Sequence, residues 1–361
     1  MQISKPVLKY AEFYITHVCN FNCDGCSRFN NYTFSGTQRW NDYKEQIVSW
    51  ASKVDIKRFS IMGGEPLTNP DCVIWFKNIS ELWPNSQGWI HTNAHYLKIN
   101  DNDLYDVLSS RPNLGLRISS HNPNNTDRII DRIKNFLKQP ITIKRIPENL
   151  ADLPGFFNNW QASYQKIKAD WWPNCDSPED WHKLPSLIKK ECEEVFSFSP
   201  DLIGDKIREF VFVDRNGVRI NLKIYHNFHQ AAARLRNDDT FDLYNSDPVR
   251  AHNMCDAKLC HTFFKGKLYK CFLPAVLPDF NEQFTVNMSC EDKRLLDSYV
   301  PLNASDGDTI IQNFIDNIEN PIPQCKFCPE NYITKVLEAE HGKKIKIIKK
   351  HSRKEIKYAM D

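Results

Sequence analysis

The sequence predicts an α/β fold: a partial (β/α)6, TIM-like barrel over residues 1–226 with a helical insert at about 151–200, a small C-terminal α+β domain over 227–340, and a basic tail over 341–361. Three observations predict it. Short apolar runs alternate with amphipathic ones from residue 10 to about 150. The rhythm breaks after Ala151 in a stretch rich in Trp, Pro and charge. The twelve cysteines are grouped, three within eight residues near the N-terminus and six between 255 and 328.

In chain order, Tyr10 to Thr16 reads as the first strand. Trp40 to Val54 reads as a helix with Ile47, Trp50, Ala51 and Val54 on one face, the spacing of a core-facing stripe. A strand at Arg58 to Met62, a helix near Cys72 to Leu82, a strand at Trp89 to Thr92 and a helix near Asp101 to Ser110 follow. Then come a strand at Leu114 to Ser119, a helix from about Thr126 to Leu137 with Ile129, Ile130, Ile133 and Leu137 inward, and a strand at Ile141 to Ile146. Repeated strand–helix units make parallel strands, because each helix must cross back over the sheet. Asn216-Gly217 between the apolar runs Phe210 to Val213 and Val218 to Tyr225 signals a hairpin, where the sixth barrel strand is expected.

Charge and composition narrow the function classes. With 47 basic against 45 acidic side chains in 361 residues, and a formal net charge of +2, nothing marks a charge-driven nucleic-acid binder. No run of about 20 apolar residues suggests a membrane span, and the first residues lack the apolar core of a secretory signal. A cytoplasmic protein is expected. In a reducing compartment, grouped cysteines are metal-binding or catalytic before they are disulfides.

Cys19, Cys23 and Cys26 form C-x3-C-x2-C on the loop after the first strand. Three soft thiolates on one tight loop suit three corners of a cubane iron–sulfur cluster. The fourth iron would then lack a protein ligand, and an open position is what separates a reactive metal site from a closed structural one. A zinc site with a distant fourth ligand is the alternative. Loops at the C-terminal ends of barrel strands carry chemistry, and this loop is the first of them. Gly63-Gly64-Glu65-Pro66 ends the second strand, Thr92-Asn93 the third, and Ser119 the fourth, within Arg117-Ile118-Ser119-Ser120.

With these motifs in this order, the chain resembles the radical S-adenosylmethionine (radical SAM) superfamily. The resemblance implies a radical SAM barrel with a SAM-binding 4Fe-4S cluster held by Cys19, Cys23 and Cys26. SAM would chelate the open iron and be cleaved reductively to a 5′-deoxyadenosyl radical that abstracts a substrate hydrogen. Gly63, Gly64 and Glu65 match the family's GGE motif at the SAM ammonium. Thr92 and Asn93 match its TN segment, and Ser119 the hydroxyl that meets the ribose or methionyl part. Gly25 stands where the family usually has an aromatic residue.

Cys255, Gly266 and Cys271, with Cys325 and Cys328 downstream, resemble the twitch form of the SPASM extension, which implies a second, auxiliary 4Fe-4S cluster. A two-residue turn at Lys265-Gly266 pairs Phe264 with Lys267 and so brings Cys260 opposite Cys271. Five candidates therefore compete for four positions, with Cys255 and Cys260 as rivals. A zinc site made of Cys255, Cys260, Cys325 and Cys328 also stays open. Cys72, Cys175, Cys192 and Cys290 are isolated and read as small buried hydrophobes. Cys175 and Cys192 are the ones to test as hydrogen-atom donors.

The expected reaction oxidises, epimerises or otherwise modifies a small, sugar-like molecule or a peptide, with a reductant such as flavodoxin or ferredoxin as partner. The short stretch before the first strand leaves no N-terminal peptide-recognition domain, which favours the small molecule. Phe156, Phe157, Trp160, Trp171, Trp172 and His182 are candidates for a lid or for core. Arg117, Lys144 and Arg145 are candidates to neutralise a substrate carboxylate or phosphate. No catalytic base stands out. Two other classes remain: a non-SAM iron–sulfur or zinc electron-transfer module, and a nucleic-acid modifying enzyme anchored by the basic tail.

Overall fold

The computed structural model describes residues 5–23, 26–98, 101–121, 125–147, 207–224, 227–228, 233–255, 260–330 and 335–336. The barrel begins with β1 (Ala11–Tyr14), α1 (Trp40–Lys53), β2 (Arg58–Met62), α2 (Cys72–Leu82), β3 (Gln87–Thr92), α3 (Asn102–Ser109), β4 (Leu114–Ser120) and α4 (Thr126–Phe136). It continues with β5 (Ile141–Pro147), β6 (Ile207–Asp214) and β7 (Arg219–Ile224). The C-terminal part contributes α5 (Pro248–Met254), β8 (His261–Phe264), β9 (Lys267–Tyr269), α6 (Phe272–Gln283), α7 (Cys290–Asp297) and α8 (Asp308–Asp316). The insert at 151–200 and the tail at 341–361 lie outside the described residues, as do the lid candidates, Gly25, Cys175 and Cys192.

Each helix forms where the sequence offers a narrow apolar stripe. In α1 that stripe is Trp40, Ile47 and Trp50, and in α4 it is Ile129, Ile133 and Phe136. Both bury it against the sheet, with Phe59, Ile61, Ile90, Leu116 and Ile118 on the facing strands. Buried indoles find acceptors at the ends of neighbouring elements. Trp83 Nε1 donates to Val54 O at 2.9 Å, and Trp50 Nε1 to Gly266 O at 2.9 Å.

The nine-stranded sheet runs β9-β8-β1-β2-β3-β4-β7-β6-β5. From β8 through β1, β2, β3 and β4 to β7 every pairing is parallel. The strand order after β4 differs from the expected succession. The strand at Ile141 does not follow β4 in the sheet; β7 does, through Gly115↔Arg219 to Ser120↔Ile224. β6 then returns antiparallel, and β5 takes the edge. The tight turn is the cause: Gly217 adopts φ +80°, and Asp214 Oδ1 accepts from the N–H groups of Asn216 and Val218. A hairpin can only deliver antiparallel neighbours.

The Lys265-Gly266 hairpin forms with Phe264↔Lys267 and Phe263↔Leu268 paired as expected. It adds to the barrel sheet, with β8 parallel to β1 and Phe13 stacked on Phe263 at 4.8 Å. A second apolar core, with Phe29, Phe34, Phe241, Phe280 and Phe284, lies under α6. The His17 ring stacks on Phe34 at 3.9 Å and meets Asp279 of α6 at 3.2 Å, and Lys265 closes on the same carboxylate at 2.7 Å.

Candidate functional site

Cys19, Cys23 and Cys26 line one cavity of about 290 Å³ at the C-terminal ends of the parallel strands. Gly63, Gly64, Glu65, Thr92, Asn93 and Ser119 line it too, so all six residues expected to meet SAM share a wall with the three thiols. The loop is built around the end of β1: the Cys26 N–H donates to Cys23 O at 3.1 Å, and the Phe21 N–H points at Cys19 Sγ at 3.4 Å.

The two glycines serve the loop before they serve any guest. A Cβ on Gly64 would sit 2.3 Å from Val18 O, and one on Gly63 2.7 Å from Thr16 O. The Gly64 N–H donates to Thr16 O at 2.9 Å and the Glu65 N–H to Val18 O at 2.8 Å. Only glycine lets β2's exit lie this close to the cysteine loop.

Glu65 is buried and joins three elements. Its carboxylate accepts from Thr92 Oγ1 at 2.6 Å, from the Asn93 N–H at 2.7 Å and from the Leu67 N–H at 3.1 Å. Burial raises its pKa to about 7 against these hydrogen bonds, which pull the other way. Thr92 and Asn93 are thus fixed by Glu65, and Asn93 Nδ2 reaches on to Asn20 Oδ1 of the cysteine loop at 2.9 Å.

Sequence reading missed Arg28, Asn30, His91 and His121, which also line the cavity. Arg28 is ion-paired to Glu12 at 2.8 Å. Burial lowers the His91 pKa, with Arg117 and other cations adding to the effect, and holds His121 at about 4, so both rings are neutral near pH 7. Strand alternation was the available signal for His91: with Trp89 it falls on the lumen side of β3, next to Thr92. Asn30 Oδ1 and His91 Nε2 are buried without hydrogen-bond partners among the described residues. Such atoms suit a polar guest.

A second, smaller cavity of about 30 Å³ is lined by Cys255, Cys271, Cys325 and Cys328 together with Lys270. Cys255 caps the C-terminus of α5, Cys271 the N-terminus of α6 and Cys328 the C-terminus of the short 3-10 turn Pro323–Phe327, which itself carries Cys325. Cys260 does not line it. Cys260 is half-buried near Glu12, Arg28 and Arg58. Burial, then the neighbouring Cys255 and Cys325, pushes the Cys271 thiol up to about 12, and Cys328 is pushed up likewise. Cys271, Cys325 and Cys328 are each held above the ordinary thiol range, chiefly by burial, and such thiols fit a polycationic group that favours their thiolates. Of the isolated cysteines, Cys72 is buried in α2 and Cys290 is exposed at the start of α7.

Residues 11–112 match the family described as "4Fe-4S single cluster domain", a span holding the three cysteines, the glycine turn and Thr92. The GTP 3′,8-cyclases of Campylobacter lari and Sulfurimonas denitrificans are 29% and 27% identical to the chain, each over 112 residues. Over residues 11–112 the chain carries this 4Fe-4S domain, and its similarity to the radical SAM enzymes lies in the same stretch. Those matches take in 30% of this chain and 35% of each cyclase, so the chain spans about a third of the curated relatives' length. Among solved structures, BtrN in complex with AdoMet and 2-DOIA aligns at TM-score 0.25 and 18% identity, over 32% of this chain and 47% of that one. SuiB of Streptococcus suis bound to S-adenosylmethionine aligns at TM-score 0.30 and 20% identity, over 37% and 32%. The radical SAM cofactors are a 4Fe-4S cluster and SAM, and the thiols and unpaired polar atoms of the larger cavity fit them. Among the described residues no helix is long and apolar enough to cross a membrane.

Proposed function

We propose that this chain is an enzyme that cleaves SAM reductively and uses the resulting radical to oxidise, epimerise or otherwise modify a small, sugar-like molecule or a peptide. The observation that carries it is the convergence of Cys19, Cys23 and Cys26 with Gly63, Gly64, Glu65, Thr92, Asn93 and Ser119 on one cavity. When bound, the cluster supplies the electron that splits SAM, and SAM supplies the 5′-deoxyadenosyl radical that removes a substrate hydrogen. The chain's residues hold and orient. Cys19, Cys23 and Cys26 would hold the cluster through their thiolates. The Gly64 and Glu65 N–H groups already donate to the cysteine loop, so the carbonyl oxygens of Gly63 and Gly64 are the backbone groups that would receive the SAM ammonium. Thr92 and Asn93, locked by Glu65, and Ser119 face the rest of the ligand. Cys23, Asn30, Glu65, Thr92 and Asn93 are buried and close one side of the 290 Å³ cavity to water, as a reactive radical requires.

In this reading Cys255, Cys271, Cys325 and Cys328 hold the auxiliary cluster, residues 227–340 form the twitch-like part, and a flavodoxin or ferredoxin delivers electrons. The test is anaerobic incubation of reconstituted protein with SAM and reductant. It should form 5′-deoxyadenosine, and Cys23→Ala should form none. Undiminished cleavage in that variant would overturn the assignment.

A further inference from the structure

The smaller thiol cavity carries a cation that the proposed ligand set does not use. Lys270 stands between the end of β9 and Cys271, and it is 4% exposed. Side chains take both of its backbone groups: its N–H donates to Tyr299 Oη at 2.7 Å, and its carbonyl accepts from His261 Nδ1 at 2.8 Å. Its ammonium donates to Ile318 O, just beyond the end of α8. Of the residues lining the cavity, Lys270 alone is a lysine or an arginine.

Among the described residues no carboxylate forms an ion pair with this ammonium. Glu319 is the carboxylate that acts on it, less than Cys271, Cys325 and Cys255 do, and Glu319 is itself engaged by Lys9 at 3.0 Å. A buried ammonium is costly until negative charge joins it. The thiols are the groups placed to supply that charge. Burial is the first cause that raises Cys271 and Cys325, and Lys270 is among the influences that lower both. Thiols leave the cation uncompensated, whereas thiolates on a bound metal group give it the negative charge it lacks. Such a cation also favours the state with the extra electron, because reduction adds negative charge. Net charge and hydrogen bonding around the sulfurs are what set the potential of an iron–sulfur cluster.

We propose that Lys270 is the counter-ion of the auxiliary cluster: its ammonium balances charge on the thiolates of Cys255, Cys271 and Cys325 and holds the cluster at a higher reduction potential than they alone would give. This rests on the reading of Cys255, Cys271, Cys325 and Cys328 as the auxiliary ligands. In this role Lys270 acts through the cluster, and Ile318 O keeps the ammonium in place.

The test is a potentiometric titration of reconstituted full-length protein, followed by electron paramagnetic resonance, with iron and zinc counted in the same samples. Lys270→Met removes the charge and keeps an apolar stem; Lys270→Gln removes the charge and keeps a shorter donor. In both, the ratio of reduced to oxidised auxiliary cluster at a fixed potential should fall about tenfold, a shift of about 59 mV for one electron. Lys270→Arg should restore the wild-type value. The SAM-site cluster, recognised by the change that SAM makes to its signal, should keep its potential in every variant, because Lys270 does not line that cavity. Urea unfolding gives a second readout with the sign of a counter-ion. Lys270→Met should leave chelator-stripped protein as stable or more so and destabilise the reconstituted protein, whereas loss of a merely structural lysine would weaken both. Should Lys270→Met fail to hold its irons, Lys270→Gln carries the measurement. Iron in both sites with the auxiliary potential unmoved, or equal destabilisation of the stripped and reconstituted forms, would overturn the role of Lys270 and leave the ligand assignment standing. Zinc in place of the second set of irons in the wild type would overturn the auxiliary cluster and this proposal with it.

Discussion

At the residue scale the site is shaped by side chains that fix their neighbours. Glu65 shows how: three donors converge on one buried carboxylate, and its pKa is raised to about 7 chiefly because burial outweighs them. The sign of the pH effect follows. Between the ordinary carboxylate value and about 7 the folded state binds more protons than the unfolded one, so this contribution is full at acid pH and lost as pH rises through 7. Wild-type stability should therefore fall from pH 5 to pH 8 by a component on the order of 3 kcal/mol at most. Glu65→Gln should flatten that component in urea unfolding at the two pH values. The same variant leaves one of three donors unmatched, at about 1–3 kcal/mol at either pH. Gly64→Ala is the companion experiment. Its Cβ would meet backbone, Val18 O at 2.3 Å, which cannot swing aside. The cysteine loop must move, and iron bound per chain should drop by about half, with a stability loss of about 1–3 kcal/mol.

At the scale of elements, much was legible. Periodicity placed α2 at Cys72–Leu82 and α1 within a residue of its end, because each carries an unambiguous stripe. The strand ends bearing Gly63, Thr92 and Ser119 were legible from motif order. The order of β5, β6 and β7 was not. Local pattern reports that Asn216-Gly217 makes a hairpin, but which arm pairs with β4 is settled by a contact about a hundred residues away in sequence. His91 was hidden for a related reason: alternation shows that a strand has two faces, and only closure of the sheet shows which is the lumen. The hairpin offers an element-scale prediction. Trp50 Nε1 donates to Gly266 O, so α1 holds the β8–β9 turn directly. Trp50→Phe keeps the apolar packing but leaves that carbonyl without its donor, and should cost about 1–2 kcal/mol in chemical unfolding.

At the scale of the whole molecule, the two thiol sites belong to one sheet. Cys19 follows β1, Cys271 follows β9, and β8 joins them by pairing with both strands. Hairpin geometry alone made Cys260 a rival of Cys255, since strand pairing extended outward sets it against Cys271. The chain diverges first: β8–β9 pairing stops at Thr262↔Tyr269, Cys255 is brought in by the end of α5, and Cys260 is left beside Glu12 and Arg28. That difference gives an experiment on the full chain. If both sites hold cubanes, reconstituted wild type should carry about eight irons. Cys260→Ser should keep them, whereas Cys271→Ser should fall to about four and lose thermal stability, because a cluster bound only by the folded state stabilises it by mass action. Iron and zinc are counted together in each sample. One zinc per chain in place of the second set of irons would replace the auxiliary cluster with a structural metal, and equal loss from Cys260→Ser would return Cys260 to the ligand set.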